Sequence, residues 1–180
     1  MTAYIFLADG FEEIEAITPI DILRRAGIET VTVSISESLR VVGAHHIAVE
    51  ADCLFSQCDF TLADALILPG GLPGTTNLGA HQPLLDLLKR HHVAEKLTAA
   101  ICAAPSILGK LNLLDGKEAI CYPSFEKALH GATISGSKVV RSGNIITAKA
   151  AGVATEFALE VVATLKGTEE AQKIAQAIHL

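Results

Sequence analysis

The chain has 180 residues, half of them apolar, and its 14 Lys and Arg against 20 Asp and Glu leave a net charge of −6. That length suits one domain, 1–180, with a sizeable core, and an acidic balance without a dense basic run excludes a nucleic-acid footprint. No apolar stretch reaches the roughly 18 residues of a membrane span, and the start Met1-Thr2-Ala3-Tyr4 lacks the basic n-region of a signal peptide, so the expected setting is soluble and cytoplasmic.

Strand and helix patterns alternate along the chain. Tyr4 to Ala8 reads as a short apolar strand closed by Asp9-Gly10. Glu12 to Ala26 reads as a helix, with acids in its first turn, Arg24-Arg25 in its last and Gly27 as its stop. Glu29 to Ile35 alternates Thr and Val, a strand pattern, and Val41 to Glu50 reads as strand or hairpin. Ala65 to Leu68 is a buried strand ended by Pro69-Gly70-Gly71, and Pro83 to His92 is a helix. Leu97 to Ile101 is a strand, Pro105 to Leu111 a helix and Glu118 to Cys121 a short strand. Lys138 to Val140 and Ile145 to Ala148 form a strand pair around Ser142-Gly143-Asn144. Gly152 to Leu165 and Glu169 to Ile178 close the chain as helices, the second capped by Thr168. Continuous apolar strands alternating with helices predict a parallel sheet covered on both faces.

The four cysteines are expected to be reduced in a chain of this size without a secretion signal. Cys53 and Cys58 do not form C-x-x-C, and no second pair stands at zinc-site spacing. The adjacent pairs His45-His46 and His91-His92 point their side chains apart and read as solvated or edge residues. No metal is expected.

Cys102 stands out. It ends the small, apolar run Leu97-Thr98-Ala99-Ala100-Ile101 and precedes Ala103-Ala104-Pro105. Proline is tolerated in the first turn of a helix, where its missing N–H has no partner to lose. Cys102 therefore stands on a sharp strand-to-helix turn, the layout of a nucleophile elbow. The nearby helix N-terminus favours the thiolate; the alternative is a buried structural cysteine. In a parallel sheet, ligands bind at the carboxyl ends of the strands. Besides Cys102, the segments Asp9-Gly10-Phe11-Glu12-Glu13-Ile14-Glu15 and Pro69-Gly70-Gly71-Leu72-Pro73-Gly74 end there. Their glycines let backbone N–H groups approach a ligand, or simply make turns. No G-K-[ST] follows, so a phosphate cradle is unsupported.

These segments carry a resemblance. Ala8-Asp9-Gly10-Phe11-Glu12-Glu13-Ile14-Glu15-Ala16, Pro19-Ile20-Asp21-Ile22-Leu23-Arg24-Arg25-Ala26-Gly27, Leu66-Ile67-Leu68-Pro69-Gly70-Gly71 and Ala99-Ala100-Ile101-Cys102-Ala103-Ala104-Pro105 stand in one order. Glu156-Phe157-Ala158-Leu159 and Leu165-Lys166-Gly167 follow near the end. Across nearly its whole length the chain resembles the ThiJ/PfpI superfamily, in its Parkinson-disease-associated deglycase branch. The resemblance implies a flavodoxin-like α/β three-layer sandwich, class I glutamine amidotransferase-like, with a mostly parallel sheet and a cysteine nucleophile elbow. It also implies a homodimer.

Residue by residue, Cys102 matches the family's reactive cysteine and Glu15 the helix glutamate that contacts its sulfur. Gly71 and Ala103 match the positions whose amides hold an oxyanion, and Gly70 and Tyr122 are expected to line the pocket. Taken without the family, Glu15 reads as an exposed first-turn glutamate. Beside a thiolate it must instead be protonated, and burial raises its pKa to allow this. Pro19 removes the helical donor of the Glu15 carbonyl, so a kink is expected.

The departures are informative. Protease-like relatives carry histidine directly after the cysteine, where this chain has Ala103; others carry one where Tyr122 stands. Ala150-Ala151-Gly152 replaces a Gly-Pro-Gly, and His45 loosely replaces an arginine near the family's dimer interface. The resemblance therefore implies a small-carbonyl chemistry without a cofactor: Cys102 adds to methylglyoxal or glyoxal, or to an early glycation adduct, and Glu15 moves the proton. The alternatives are a redox sensor or chaperone that works by oxidation of Cys102 and, less favoured, an amidase or peptidase. The expected partners are a small carbonyl or glycated substrate and a second copy of the chain, with no nucleic acid and no membrane.

Overall fold

The computed structural model describes residues 1–180. In chain order its elements are β1 (Thr2–Leu7), α1 (Glu13–Arg25), β2 (Glu29–Ser34), β3 (Arg40–Val42), β4 (Ala48–Glu50), β5 (Cys53–Leu54) and β6 (Ala63–Leu68). Then come α2 (Gly74–Ala80), α3 (Gln82–Val93), β7 (Leu97–Ile101), α4 (Pro105–Lys110), β8 (Glu118–Ala119) and β9 (Thr133–Ile134). β10 (Val139–Ser142), β11 (Ile145–Ala148), α5 (Ala154–Lys166) and α6 (Thr168–Ala177) complete the chain. Seven strands form one sheet in the order β10-β11-β7-β6-β1-β2-β5. Every pairing in it is parallel except β10 with β11. No helix is long and apolar enough to cross a membrane.

The central strands are apolar on both faces because both faces are covered. Ile5, Leu7, Ile67, Ala99 and Ile101 point to one side, where Leu23 of α1, Phe157 and Val161 of α5 and Ile174 of α6 close over them. Their sequence neighbours Phe6, Leu66, Leu68 and Ala100 point to the other, against Leu78 of α2, Leu84 and Leu88 of α3 and Leu108 of α4. This is the expected three-layer α/β sandwich. Each layer of side chains follows from the two-residue period of a strand.

Several local expectations are corrected. Residues 69–73 form the loop expected after β6, but a helix not expected from the sequence, α2, starts at Gly74. A run with Gly74, Thr75, Thr76 and Asn77 has weak helix propensity. Tertiary contacts hold it: Gly74 N–H donates to Gly10 O at 3.1 Å, and the Asn77 side chain donates to Asp9 O at 2.9 Å. The last helix begins after Gly167, which occupies the cap position, and Thr168 lies inside it without a capping bond. α1 runs on through Pro19, whose ring is buried.

Cys53 and Cys58 are not free thiols but form a disulfide, with Cα atoms 6.6 Å apart. The short strand β5 and the 3-10 turn Phe55–Gln57 fold the chain back within the usual span of such a bridge. A compartment argument made from composition does not see that local geometry. Cys102 and Cys121 are the free cysteines.

His91 is also corrected. It is buried on α3, and its Nε2 lies 2.9 Å from the Leu97 carbonyl at the start of β7. Burial pushes its pKa down to about 4, against the opposing pull of that carbonyl. The folded protein therefore holds His91 neutral, while the unfolded chain takes a proton near pH 6.5. Stability from this site is fully present above that value and is lost as pH falls towards 4. The expected loss across that window is about 3 kcal/mol. His91→Gln keeps a donor for the Leu97 carbonyl but cannot be protonated. Urea unfolding from pH 7 to pH 4 should show a shallower acid decline in the variant, and equal slopes would remove His91 from the acid response.

Candidate active site

β7, β6 and β1 are neighbours in the sheet, and their register brings their carboxyl ends level. Tyr4 pairs with Leu66, and Leu68 pairs with Ala100. The chain leaves these three ends through the segments that carry Glu15, Gly70-Gly71 and Cys102. Residues far apart in sequence thus meet because parallel strands all end on one side.

Cys102 follows β7 directly, with φ at +65°. A non-glycine residue pays about 1–2 kcal/mol for that left-handed conformation, so its surroundings must hold it. Its N–H donates to Ala148 O at 2.9 Å, and its carbonyl accepts from Tyr122 N–H at 2.7 Å. Ala104 N–H closes the turn on Ile101 O at 3.1 Å, and Pro105 opens α4. The expected strand-to-helix elbow is present.

Glu15 reaches the elbow from the first turn of α1. Phe11 N–H bonds Ala8 O, and Glu12 N–H bonds Gly70 O, both at 3.0 Å, which ties the start of the helix to the β6 loop. Glu15 is fully buried, at 0% exposure, which overturns its exposed reading. Its Oε2 accepts from Gly70 N–H at 2.9 Å, while Oε1 has no hydrogen-bond partner. Glu15 and Cys102 lie close enough for each side chain to shift the titration of the other. Gly70 makes that meeting possible: a Cβ there would lie 2.6 Å from Glu15 Oε2 and 2.7 Å from Cys102 Cβ. Gly71 has φ at +89°, and a side chain on it would strike the backbone of Phe11 and Glu12. The backbone N–H groups of Gly71 and Ala103 both act on the Cys102 sulfur. Tyr122 is joined to the elbow by its amide, while its side chain is largely exposed.

Electrostatically this is one pair of groups with one easily lost proton. Burial raises Glu15 to about 7, opposed by hydrogen bonds from Cys102 and Gly70. With Glu15 ionised, burial and the carboxylate charge push the Cys102 thiol up to about 12. The expected lowering by a helix N-terminus is therefore outweighed; α4 is only six residues long. Coupled groups titrate as a pair. Above about pH 7 the pair carries one charge and one proton. Backbone amides favour the charge on either group, those of Ala103 and Gly71 at the sulfur and those of Gly70 and Ala151 at the carboxylate. Burial separates the two: Glu15 is fully buried, whereas Cys102 is only partly so, and a charge costs more where it is further from water. That difference favours the charge on sulfur and the proton on Glu15.

A second cluster lies at the start of α1. Glu13 accepts from His45 N–H at 2.7 Å, and its other oxygen lies 2.8 Å from His45 Nδ1. Glu12 Oε2 lies 3.6 Å from the same ring nitrogen. Burial pushes Glu13 up, but these hydrogen bonds win and hold it below its ordinary value. His45 is raised, chiefly by its hydrogen bond to Glu13. The three side chains stand close enough to be metal ligands, yet Glu13 already spends both oxygens on the β3–β4 hairpin. Asp9 adds a bond from its carboxylate to Val42 N–H at 2.9 Å. Sequence reading missed this clasp, although the run Glu12-Glu13-Ile14-Glu15 contained its signal: alternate acids face opposite sides of the first turn.

The family model described as the DJ-1/PfpI family matches residues 1–164. The Drosophila melanogaster protein dj-1beta is 35% identical over 98% of this chain and 96% of its own length. The Arabidopsis thaliana protein DJ-1 homolog B is 38% identical over 94% of this chain, which spans only 39% of that relative. Among solved structures, oxidized Toxoplasma gondii DJ-1 superposes with a TM-score of 0.95 at 35% identity, covering 98% of this chain and 97% of the other.

If the charge rests on sulfur, alkylation of Cys102 by iodoacetamide should rise through an inflection near or below pH 7. Glu15→Gln should move it upward, because an amide is a weaker donor than a carboxylic acid. Cys121, only 1% exposed against a partly exposed Cys102, should label far more slowly. An inflection above pH 9 at Cys102 would put the charge on Glu15 instead.

Proposed function

We propose that this chain, which belongs to the DJ-1/PfpI family, is a cysteine-dependent enzyme that converts small α-oxoaldehydes to 2-hydroxy acids without a cofactor. The observation that carries this reading is a fully buried carboxyl, raised to about 7, set against a partly buried cysteine on a left-handed elbow. A group with that pKa gives and takes protons near neutrality.

The chemistry balances within the site. The Cys102 thiolate adds to the aldehyde carbon, and the carbonyl electrons move to oxygen. The Gly71 and Ala103 amides stabilise that alkoxide, and the Glu15 carboxyl gives up its proton to it, which forms the hemithioacetal and leaves Glu15 a carboxylate. Glu15 then removes the proton from the former aldehyde carbon, the electrons pass into an enediolate, and Glu15 returns the proton to the adjacent carbon. The result is a thioester on Cys102. Water hydrolyses it, frees the thiol and releases the 2-hydroxy acid. One carbon is oxidised and its neighbour reduced, so no external redox partner is needed. Early glycation adducts can enter by the same sulfur addition. Ala103 directly after the cysteine offers no imidazole, which disfavours peptide hydrolysis.

A second reading has one observation in its favour. The similar Toxoplasma gondii structure is of an oxidized protein, and the amides suited to an alkoxide also suit the oxygens of an oxidised Cys102. Lactate formation from methylglyoxal decides between the two. Wild-type chain should produce it, Cys102→Ser should not, and Glu15→Gln should fold normally but lose about 10²–10⁴-fold in rate. No lactate from the wild type, with ready sulfinate formation at Cys102 under peroxide, would favour the sensor.

We also propose a homodimer built on α1. Ile14 and Ile17 are 54% and 42% exposed and lie three residues apart on one helix face, a spacing that makes a continuous apolar strip. Arg25 and His45 are then expected near the two-fold axis. A second copy suits a strip on the same helix that carries Glu15, since it would shield the site. Sedimentation equilibrium at micromolar concentration should give twice the chain mass of 18.9 kDa, and Ile14→Lys with Ile17→Lys should return it to the monomer mass. A wild-type mass near that of one chain would refute the dimer.

A further inference from the structure

A cavity of about 330 Å³ lies between α2 and α4, away from the reactive thiol. Leu72, Leu85, Ile107 and Phe125 give it apolar walls, and neither Cys102 nor Glu15 lines it. Four lining residues carry polar side chains: Thr75, Thr76, Ser106 and Lys110. Thr75 and Ser106 are buried, and the Thr75 hydroxyl oxygen has no hydrogen-bond partner. A buried hydroxyl left without a partner costs free energy unless something else satisfies it. Lys110 forms no ion pair with any acid of the chain. A mostly apolar hollow with a few polar groups and one unpaired cation is the pattern of a small-molecule site.

We propose that this cavity binds a small aryl or branched aliphatic monocarboxylate. The carboxylate meets Lys110 and the Thr75 and Ser106 hydroxyls, and the apolar body fills the space beside Ile107 and Phe125. Its size follows from the volume: at roughly 30 Å³ per water-sized group, 330 Å³ holds about eleven such groups. The preference for an anion follows from Lys110. The preference for one charge only follows from the apolar walls, which leave a second charge unsolvated.

The test uses 3-phenylpropionate as probe, titrated into the intact chain by calorimetry and by ligand-observed NMR. One saturable site with a dissociation constant of about 1 mM or tighter is expected, unchanged in Cys102→Ser. The uncharged 3-phenylpropanamide should bind at least about tenfold more weakly, as expected for loss of a charge-assisted bond. Lys110→Met should erase that difference between acid and amide. Thr75→Val should weaken the acid while leaving the shape of the cavity intact. Gly79→Leu supplies the blocking variant: a Cβ at Gly79 meets Ile107 only at ordinary contact distance, 3.6 Å, so the larger side chain can enter the cavity without displacing backbone. It should abolish binding while leaving the melting temperature near that of the wild type. No saturation at millimolar probe would overturn the proposal. So would equal binding by Gly79→Leu, or loss of binding in Cys102→Ser, which would move the ligand to the thiol.

Discussion

A fully buried carboxyl faces a partly buried thiol, and only one proton leaves the pair easily. This contact between Glu15 and Cys102 explains much of the surrounding structure. It requires a glutamate to be buried inside the first turn of a helix, a position where glutamate is ordinarily solvated. It requires Gly70, because any side chain there would separate the two groups. It also requires a cysteine held at φ +65°, since an ordinary strand conformation would aim the sulfur into one face of the sheet. The strain at Cys102 is sustained by a bond it donates to Ala148 O and one it accepts from Tyr122 N–H, both outside the strand that carries it.

The parallel sheet supplies the rest. Its strands deliver three connections to one edge, and its two apolar faces are rigidly packed by helices on both sides. Gly70-Gly71 and Cys102 stand one to three residues beyond a buried strand end, and their separation is set by strand spacing and register. Glu15 comes eight residues after β1, so its place depends also on the bonds that tie the intervening loop to Ala8 and Gly70. The clasp of Glu13 and Asp9 on the β3–β4 hairpin extends the same principle outward. Acids that alternate along Asp9–Glu15 serve opposite purposes, some binding backbone N–H groups at the surface and one facing the sulfur.

What was legible in the sequence divides along physical lines. The strands and long helices were, since periodicity and end signals are local. The elbow was too, because a small apolar run, a cysteine and a proline at helix-start spacing constrain the backbone directly. The burial of Glu15 was not: nothing local distinguishes it from a solvated first-turn glutamate, and only the family resemblance singled it out. His91 was missed for the same reason, as its partner is a carbonyl in the next strand. α2 was missed because its residues are weak helix formers held by contacts to the loop after β1. The Cys53–Cys58 bridge was missed because a short turn, and not the composition of the chain, brings the two sulfurs together.

The elbow also divides space. α4 starts three residues after Cys102 and sends Ser106, Ile107 and Lys110 to the other side of the turn, where they wall the 330 Å³ cavity. The α2 helix does likewise from the second loop: Gly70 and Gly71 face the thiol, while Leu72 and Thr75 face the cavity. Two hollows of different character thus share the same pair of short connections. One holds a thiol, a carboxyl and glycine backbone. The other is lined by apolar side chains, three hydroxyls and a cation. Because Gly70 and Leu72 stand in one connection, and Cys102 and Ser106 in another, the two hollows are separated by no more than a few residues of each chain segment.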